Sequence, residues 1–323
     1  MSSASDSAMT AIGVISNPYS HRNLRDLAAV REVVVQHPAV AHVELEHMSA
    51  LPVVLADFAR RGIERVVVNG GDGTVQGVMT ELLNSHDFAR TPDLVLLPAG
   101  RTNLITHDLG LKGRPVDGLT RLLAGAPPTV IDHPVLTLHP GGGAAALHGM
   151  FFGTAAFYRG TMLARAKYHP KGATGRGVVG LSLASSVLRA LIRRGGEDGI
   201  YRGDDMTLTV DGGAGRDGSY LLVMATTLDR LLLGVRPFWG HGSGAVRLTT
   251  IDFPPARLAR ALVPMLRGRP RPWMAAAGYD SRRASRVTIR SDCPMILDGQ
   301  IVHPDPVEPA LLEADRRLRF LRC

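Results

Sequence analysis

RVVVNGGDGTVQGVMTELL, residues 65–83, changes character twice within one stretch. Val66, Val67 and Val68 are a β-branched apolar run of the kind that makes a buried strand. Asn69-Gly70-Gly71-Asp72-Gly73 follows, and three glycines in four positions predict a loop. From Thr74 the apolar residues Val75, Val78, Met79, Leu82 and Leu83 recur at helical spacing, so a helix is expected to open there. Strand, glycine loop and helix together aim backbone N–H groups and the positive end of a helix dipole at one spot, which suits an anion. Thr74 is placed to cap the helix or to meet a phosphate oxygen. A tight turn is the plainer alternative. Asp72 and Thr74 in this frame favour a nucleotide phosphate held by Gly70, Gly71, Asp72, Gly73 and Thr74.

Outward from this stretch the pattern alternates. Residues 1–10 are Ser-rich and expected to be disordered. Ile12–Ile15 predicts a strand, Asn17–Asn23 its loop, and Leu24–His37 a helix stopped by Pro38. Val40–Glu46 predicts a strand, Leu51–Arg61 a helix, Leu94–Leu97 a short buried strand, and Val116–Leu123 a helix. Strands alternating with helices imply a parallel sheet with helices on both faces, here an α/β nucleotide-binding domain over residues 11–130. Ligand loops of such sheets lie at the carboxyl ends of the strands. Asn17–Ser20, Gly70–Thr74 and Gly100–Asn103 all fall there.

Beyond residue 130 the strand signals change. Val130–Leu138, Ala144–Phe157, Met206–Val210, Tyr220–Thr226, Ala245–Ile251 and Arg286–Ile289 read as strands, several separated by Gly-rich turns. They predict a β-rich, antiparallel, sandwich-like second domain over residues 131–304. Helices are expected near Val178–Arg194 and Pro255–Arg267, and a final helix over Leu311–Leu321, within residues 305–323.

GGDGT after a hydrophobic strand resembles the diacylglycerol kinase catalytic family, which includes bacterial lipid kinases and sphingosine kinases; NAD kinases share the motif. Three further pieces carry the resemblance. Asn17-Pro18-Tyr19-Ser20 is similar to the family's Asn-Pro-x-Ser-Gly loop, Pro98-Ala99-Gly100-Arg101-Thr102-Asn103 to its Pro-x-Gly-Thr-x-Asn loop, and Asp298-Gly299-Gln300 to its Asp-Gly-Glu. The resemblance implies an ATP- and Mg²⁺-dependent kinase that phosphorylates a lipid hydroxyl, with diacylglycerol as first choice and phosphatidic acid as product. It further implies a donor in the cleft between domains, and a chain end that packs back on the first domain. The same fold also serves sphingoid bases, other lipid alcohols and NAD. A nucleotide-binding protein that has lost catalysis is the rival from another class. Four departures from the family pattern stand out, and Arg101 and Gln300 together suggest that rival. His21 and Arg101 stand where the family has glycine and threonine, and Gln300 where it has glutamate. Gly240–Ala245 lacks the carboxylates of a structural Mg²⁺ site found in many bacterial relatives.

Length and composition bound these readings. A chain of 323 residues exceeds the usual single domain. Two cysteines, Cys293 and Cys323, give no metal spacing or disulfide framework. The N-terminus lacks a signal-peptide pattern, and no apolar run reaches membrane-span length, so a cytoplasmic protein is expected. The net charge of +8 fits an acidic partner. No helix-turn-helix, RNP or zinc-finger pattern points to nucleic acid. Between Arg159 and Arg202, nine lysines and arginines stand against Glu197 and Asp198. Val178–Arg194 in that segment reads as a basic amphipathic helix, able to lie peripherally on an anionic membrane or to pack with its charges solvated. The oligomeric state is left open.

Phosphoryl transfer needs a phosphate cradle, a cation to spread charge, and a group that takes the hydroxyl proton. Asn17, Ser20, Gly100, Thr102 and Asn103 join the glycine loop as candidate nucleotide contacts. Asn103 alternatively orders its loop or caps a helix. Asp298 lies between an apolar run and a glycine, at a strand end or hairpin turn; Asp-Gly alone is a common turn sequence. The resemblance makes Asp298 the general base. Asp72 is the alternative base, a ligand of the catalytic Mg²⁺, or a brace for the loop.

Overall fold

The computed structural model describes residues 11–109, 113–168 and 199–322. It divides into two units. One comprises the residues through Asp132 together with those from Leu318, and the other His133–Arg317. The Ser-rich start, the His169–Gly172 loop and the Val178–Arg194 helix lie outside the described residues.

The first unit alternates as its sequence predicts: β1 (Ile12–Ser16), α1 (Asn23–Val35), β2 (Ala41–Glu44), α2 (Leu51–Arg60), β3 (Arg65–Gly70), α3 (Asp72–Asn84), β4 (Asp93–Pro98), α4 (Leu104–Asp108) and α5 (Pro115–Leu123). The strands run parallel in the order β2-β1-β3-β4. The chain goes from β1 to one neighbour, then crosses back to place β3 on the other side. That reversal is a topological switch point, and ligands of open α/β sheets bind outside the carboxyl ends there. Both sheet faces are covered, which is why β1 is buried along its whole length. Ile12 and Val14 meet Leu27, Val30 and Val34 of α1 and Leu119 and Leu122 of α5. Gly13, pointing the other way, makes room for the ring of Phe58; a Cβ there would lie 2.4 Å from it. Fully burying such a ring contributes roughly 1.5–3 kcal/mol.

α3 opens at Asp72, not at Thr74, with Gly71 as its N-cap and Gly73 inside its first turn. The first four N–H groups of a helix have no intrahelical partner, so a glycine there forfeits little.

The second unit is antiparallel. Its strands are β5 (Thr129–His139, entering from the first unit), β6 (Leu147–Gly149), β7 (Phe151–Ala155), β8 (Asp204–Val210), β9 (Arg216–Thr226), β10 (Val246–Asp252), β11 (Tyr279–Ala284), β12 (Arg286–Arg290), β13 (Met295–Leu297), β14 (Gln300–Val302) and β15 (Ala310–Arg322). β13, β7, β9, β8 and β12 are consecutive neighbours. Phe152, Tyr220, Val223, Leu248, Val287 and Leu312 lie in their core. Ala144–Phe157 is not the single strand expected. It contains β6 and β7, and after Ala155, at φ 59°, the chain enters α6 (Ala156–Tyr168). α7 (Leu258–Leu266) follows β10. Among the described residues no helix is long and apolar enough to cross a membrane.

The helix expected over Leu311–Leu321 is strand β15. Leu, Ala, Glu and Arg favour helix, but propensity is a weak prior against tertiary context. Ala310, Leu312, Leu318 and Phe320 are buried on even positions, as a strand's period of two requires, and Leu321 is buried as well because the first unit's sheet is covered on both faces. β15 pairs antiparallel with β12, Arg286 opposite Glu313. Its last residues complete the first unit, where Phe320 sits opposite Leu94 of β4 in a parallel pairing. There Arg319 Nε lies 3.1 Å from an Asp93 carboxylate oxygen.

Candidate functional site

The loops after β1, β3 and β4 are tied to one another. The backbone N–H of Asn17 donates to the Asn69 carbonyl at 3.0 Å, and that of Arg22 to the Ala99 carbonyl at 2.8 Å. Asn23, buried at the start of α1, donates its amide to the carbonyls of Asn17 (2.8 Å) and Asn69 (3.0 Å). Ser20 Oγ accepts the Gly71 N–H at 3.2 Å. Asn17 Nδ2 donates to Thr74 Oγ1 at 2.9 Å. Thr74 therefore latches two loops and does not cap α3, which has no side-chain cap. The Asn23 contribution escaped the sequence reading. Its signal is an asparagine at the first position of the helix that follows the Asn-Pro loop.

Gly71 and Gly100 bring the second and third loops into backbone contact. A Cβ on Gly100 would lie 2.6 Å from the Gly71 Cα. Asn103 holds Gly100 from both sides, its Oδ1 accepting the Gly100 N–H at 2.8 Å and its Nδ2 donating to the Gly100 carbonyl at 3.0 Å. Its amide orders the loop through both its oxygen and its nitrogen, at a backbone φ of 50°. Thr102 and Arg101 are exposed, with no side-chain hydrogen bond or ion pair among the described residues.

Asp72 is the one carboxylate on these three loops. Its side chain faces the start of α4, with the N–H groups of Asn103, Leu104 and Ile105 directed at it and Ile105 N at 3.3 Å from Oδ1. Burial pushes its carboxyl above the ordinary range, and those N–H groups only partly offset this. The residue as a whole is half-buried while its carboxylate is enclosed. Asp72 thus braces the third loop.

Gly73 stands apart. It is exposed, and nothing lies within 4 Å of where its Cβ would be. Neither packing nor a positive φ in the protein calls for glycine there. Gly73 lies in the first turn of α3, at the end of the helix whose dipole favours an anion. Among the described residues no three His, Cys, Asp or Glu side chains form a metal cluster. On these loops Asp72 is the one side chain of the type Mg²⁺ takes, an ion that keeps its waters and needs one or two carboxylates.

Asp298 belongs to the second unit. It and Gly299 are the two central residues of the β13–β14 hairpin, with Leu297 opposite Gln300. Their φ values of 45° and 93° are both positive, as a type I′ turn requires. The carboxylate accepts the Met150 N–H at 2.7 Å and the Phe151 N–H at 2.9 Å. Gly149 leaves it room, since a Cβ there would lie 2.5 Å from Oδ2. Arg165 donates to the Gly299 carbonyl beneath the turn, and Gln300 is exposed.

Residues 11–132 match the family described as diacylglycerol kinase catalytic domain. No curated protein matches the chain. Among solved structures, a diacylglycerol kinase from Bacillus anthracis str. Sterne is similar at TM-score 0.63 and 14% identity, over 97% of each chain. A candidate diacylglycerol kinase from the same organism reaches TM-score 0.68 at 15% identity, again over 97% of both. At these identities the likeness is one of fold: parallel strands flanked by helices, then an antiparallel region.

Proposed function

We propose that this chain, whose residues 11–132 match the family described as diacylglycerol kinase catalytic domain, is an ATP- and Mg²⁺-dependent lipid kinase that phosphorylates a hydroxyl, with diacylglycerol as its acceptor. One observation carries the proposal. Three loops at the carboxyl ends of β1, β3 and β4 are locked together beside a helix N-terminus, and Gly73 there leaves a space the protein does not fill.

Each residue then has a task. The first-turn N–H groups of α3 bind donor phosphate, and Gly73 admits it. Asn17, Ser20 and Thr74 fix the cradle's shape through the bonds between their loops. Gly100 and Asn103 form its far wall, with Asp72 bracing α4 behind them. Arg101 and Thr102, exposed on that wall, offer a cation and a hydroxyl to the phosphates. Mg²⁺, when bound through Asp72, supplies neutralisation of phosphate charge. Asp298, fixed by two backbone N–H groups, accepts the proton of the lipid hydroxyl as the hydroxyl oxygen bonds to the γ-phosphorus and the bond from that phosphorus to the bridging oxygen breaks, releasing ADP. The protein works as a cytoplasmic enzyme that visits the membrane peripherally.

The test is Mg²⁺-dependent ATP turnover against a panel of diacylglycerol, monoacylglycerol, sphingosine and NAD. Phosphatidic acid as the dominant product supports the reading. Turnover only with another acceptor refutes diacylglycerol but keeps the kinase. ATP binding without turnover on any acceptor favours the lapsed protein that exposed Gln300 hints at.

A further inference from the structure

In the second unit, the C-terminal turn of α7 and the segment after β9 border an open hollow of about 570 Å³ lined by Val235, Arg236, Val263, Leu266, Arg267 and Arg269. We propose that this hollow is a docking site for an anionic phospholipid in a bilayer surface, taking the headgroup phosphate on its three arginines and the glycerol and upper acyl region on its apolar side chains.

The frame is fixed by backbone. Arg236 N–H donates to the Leu266 carbonyl at 2.9 Å, Arg267 N–H to Val263 and Arg269 N–H to Pro264. These bonds hold the three arginine Cα positions around one rim. All three residues are exposed, and none forms a side-chain ion pair among the described residues. Their charge is uncompensated locally. From Phe253 to Tyr279 the chain carries five arginines and no Asp or Glu.

The bland alternative is that Arg267 and Arg269 merely complement the negative end of the α7 dipole. That end carries about half a charge, against three guanidinium groups. Nor does it explain the apolar half of the lining. α7 turns Leu258, Ala261 and Met265 inward, yet leaves Val263 52% exposed in the same hollow as the arginines. A soluble phosphate has no use for Val235, Val263 and Leu266, and 570 Å³ far exceeds it. A phospholipid presents both chemistries at the depth where a helix meets the headgroup layer.

Near an anionic leaflet each arginine adds roughly fivefold to partitioning. The test is sedimentation of the full chain, without ATP, with phosphatidylglycerol–phosphatidylcholine vesicles and with phosphatidylcholine alone. Leaving out ATP separates this result from the fate of the kinase reading. Wild type should bind the anionic vesicles preferentially. Arg236→Gln/Arg267→Gln/Arg269→Gln together should cut that binding roughly 10- to 100-fold. Val263→Asp, tested separately, should weaken it too, and circular dichroism of each variant reports folding. Millimolar inorganic phosphate should not compete. Equal binding of wild type and both folded variants, or no preference for anionic vesicles, overturns the proposal. So does displacement of the protein by inorganic phosphate, which would make the hollow a site for soluble anions.

Discussion

Gly73→Ala separates the protein's needs from its ligand's. The new methyl meets nothing within 4 Å, and the backbone already lies in a region any residue adopts. Alanine exceeds glycine in a helix by about 0.5–1 kcal/mol. Position 73 lies in the first turn of α3, so the lower end applies. At about 2–4 °C per kcal/mol for a unit of this size, the first unit should melt about 1–2 °C higher. The same methyl occupies the space through which a phosphate oxygen reaches the α3 N–H groups. Losing one bond to a charged group removes about 1.5–3 kcal/mol, so ATP affinity should drop roughly 10- to 100-fold. Calorimetric titration with ATP beside a thermal melt reads both quantities on one sample. Gly71→Ala is the contrast: its Cβ would sit 3.1 Å from the Gly100 Cα, so it should weaken both binding and stability. Undiminished ATP affinity in folded Gly73→Ala would refute the phosphate site, whatever the melt shows.

Asp298→Asn should lower kcat by about 10²–10⁴-fold. It should also cost about 1–3 kcal/mol of stability, because its NH₂ confronts an N–H that the carboxylate now accepts, while ATP affinity stays within about twofold; full turnover would remove Asp298 as the base. Asp72→Asn keeps an acceptor for the Ile105 N–H. The raised folded pKa of Asp72 means its protonated form is the one stabilised, an advantage lost as pH rises through that pKa. The Asn variant should therefore be no less stable than wild type at pH 7 yet turn over more slowly, whereas Asp72→Ala should lose about 1–3 kcal/mol to unpaired N–H groups; urea midpoints distinguish the two. His148, buried on β6 with Nδ1 3.1 Å from Thr137 Oγ1, has its pKa lowered to about 4, first by burial and then by Arg316 and His139, with Asp315 opposing. The unfolded chain takes up that proton from pH 6.5 downward and the folded one only near 4, so stability should fall by about 3 kcal/mol between those values. His148→Gln should flatten that slope in urea melts at pH 7 and 4.5.

What the sequence made legible was local. The valine run, the glycine loop and the apolar spacing after it lie within one short stretch, and β3 and α3 follow from them. The Asp298 turn was readable because Asp-Gly suits two positive φ values. What it hid depends on distant partners. Nothing near Asp72 says that its carboxylate braces α4, thirty-odd residues on. Leu311–Leu321 composes like a helix, and only β12 and β4 make it a strand. Ala155 turns the chain at a φ where glycine would have been the signal. Thr74 reads as a helix cap or a phosphate contact, yet its partner Asn17 comes from the loop after β1.

Strand β15 also bears on how the first unit comes into being. β4 has β3 on one side and the residues around Phe320 on the other. During synthesis, β1 to β4 leave the ribosome long before Phe320 does. For all that time the edge of β4 at Leu94 lacks its partner and is able to recruit a strand from another chain. A fragment cut at Asp132, the limit of the family match, would keep that edge open permanently. It should self-associate unless a peptide spanning Leu318–Leu321 is supplied in trans.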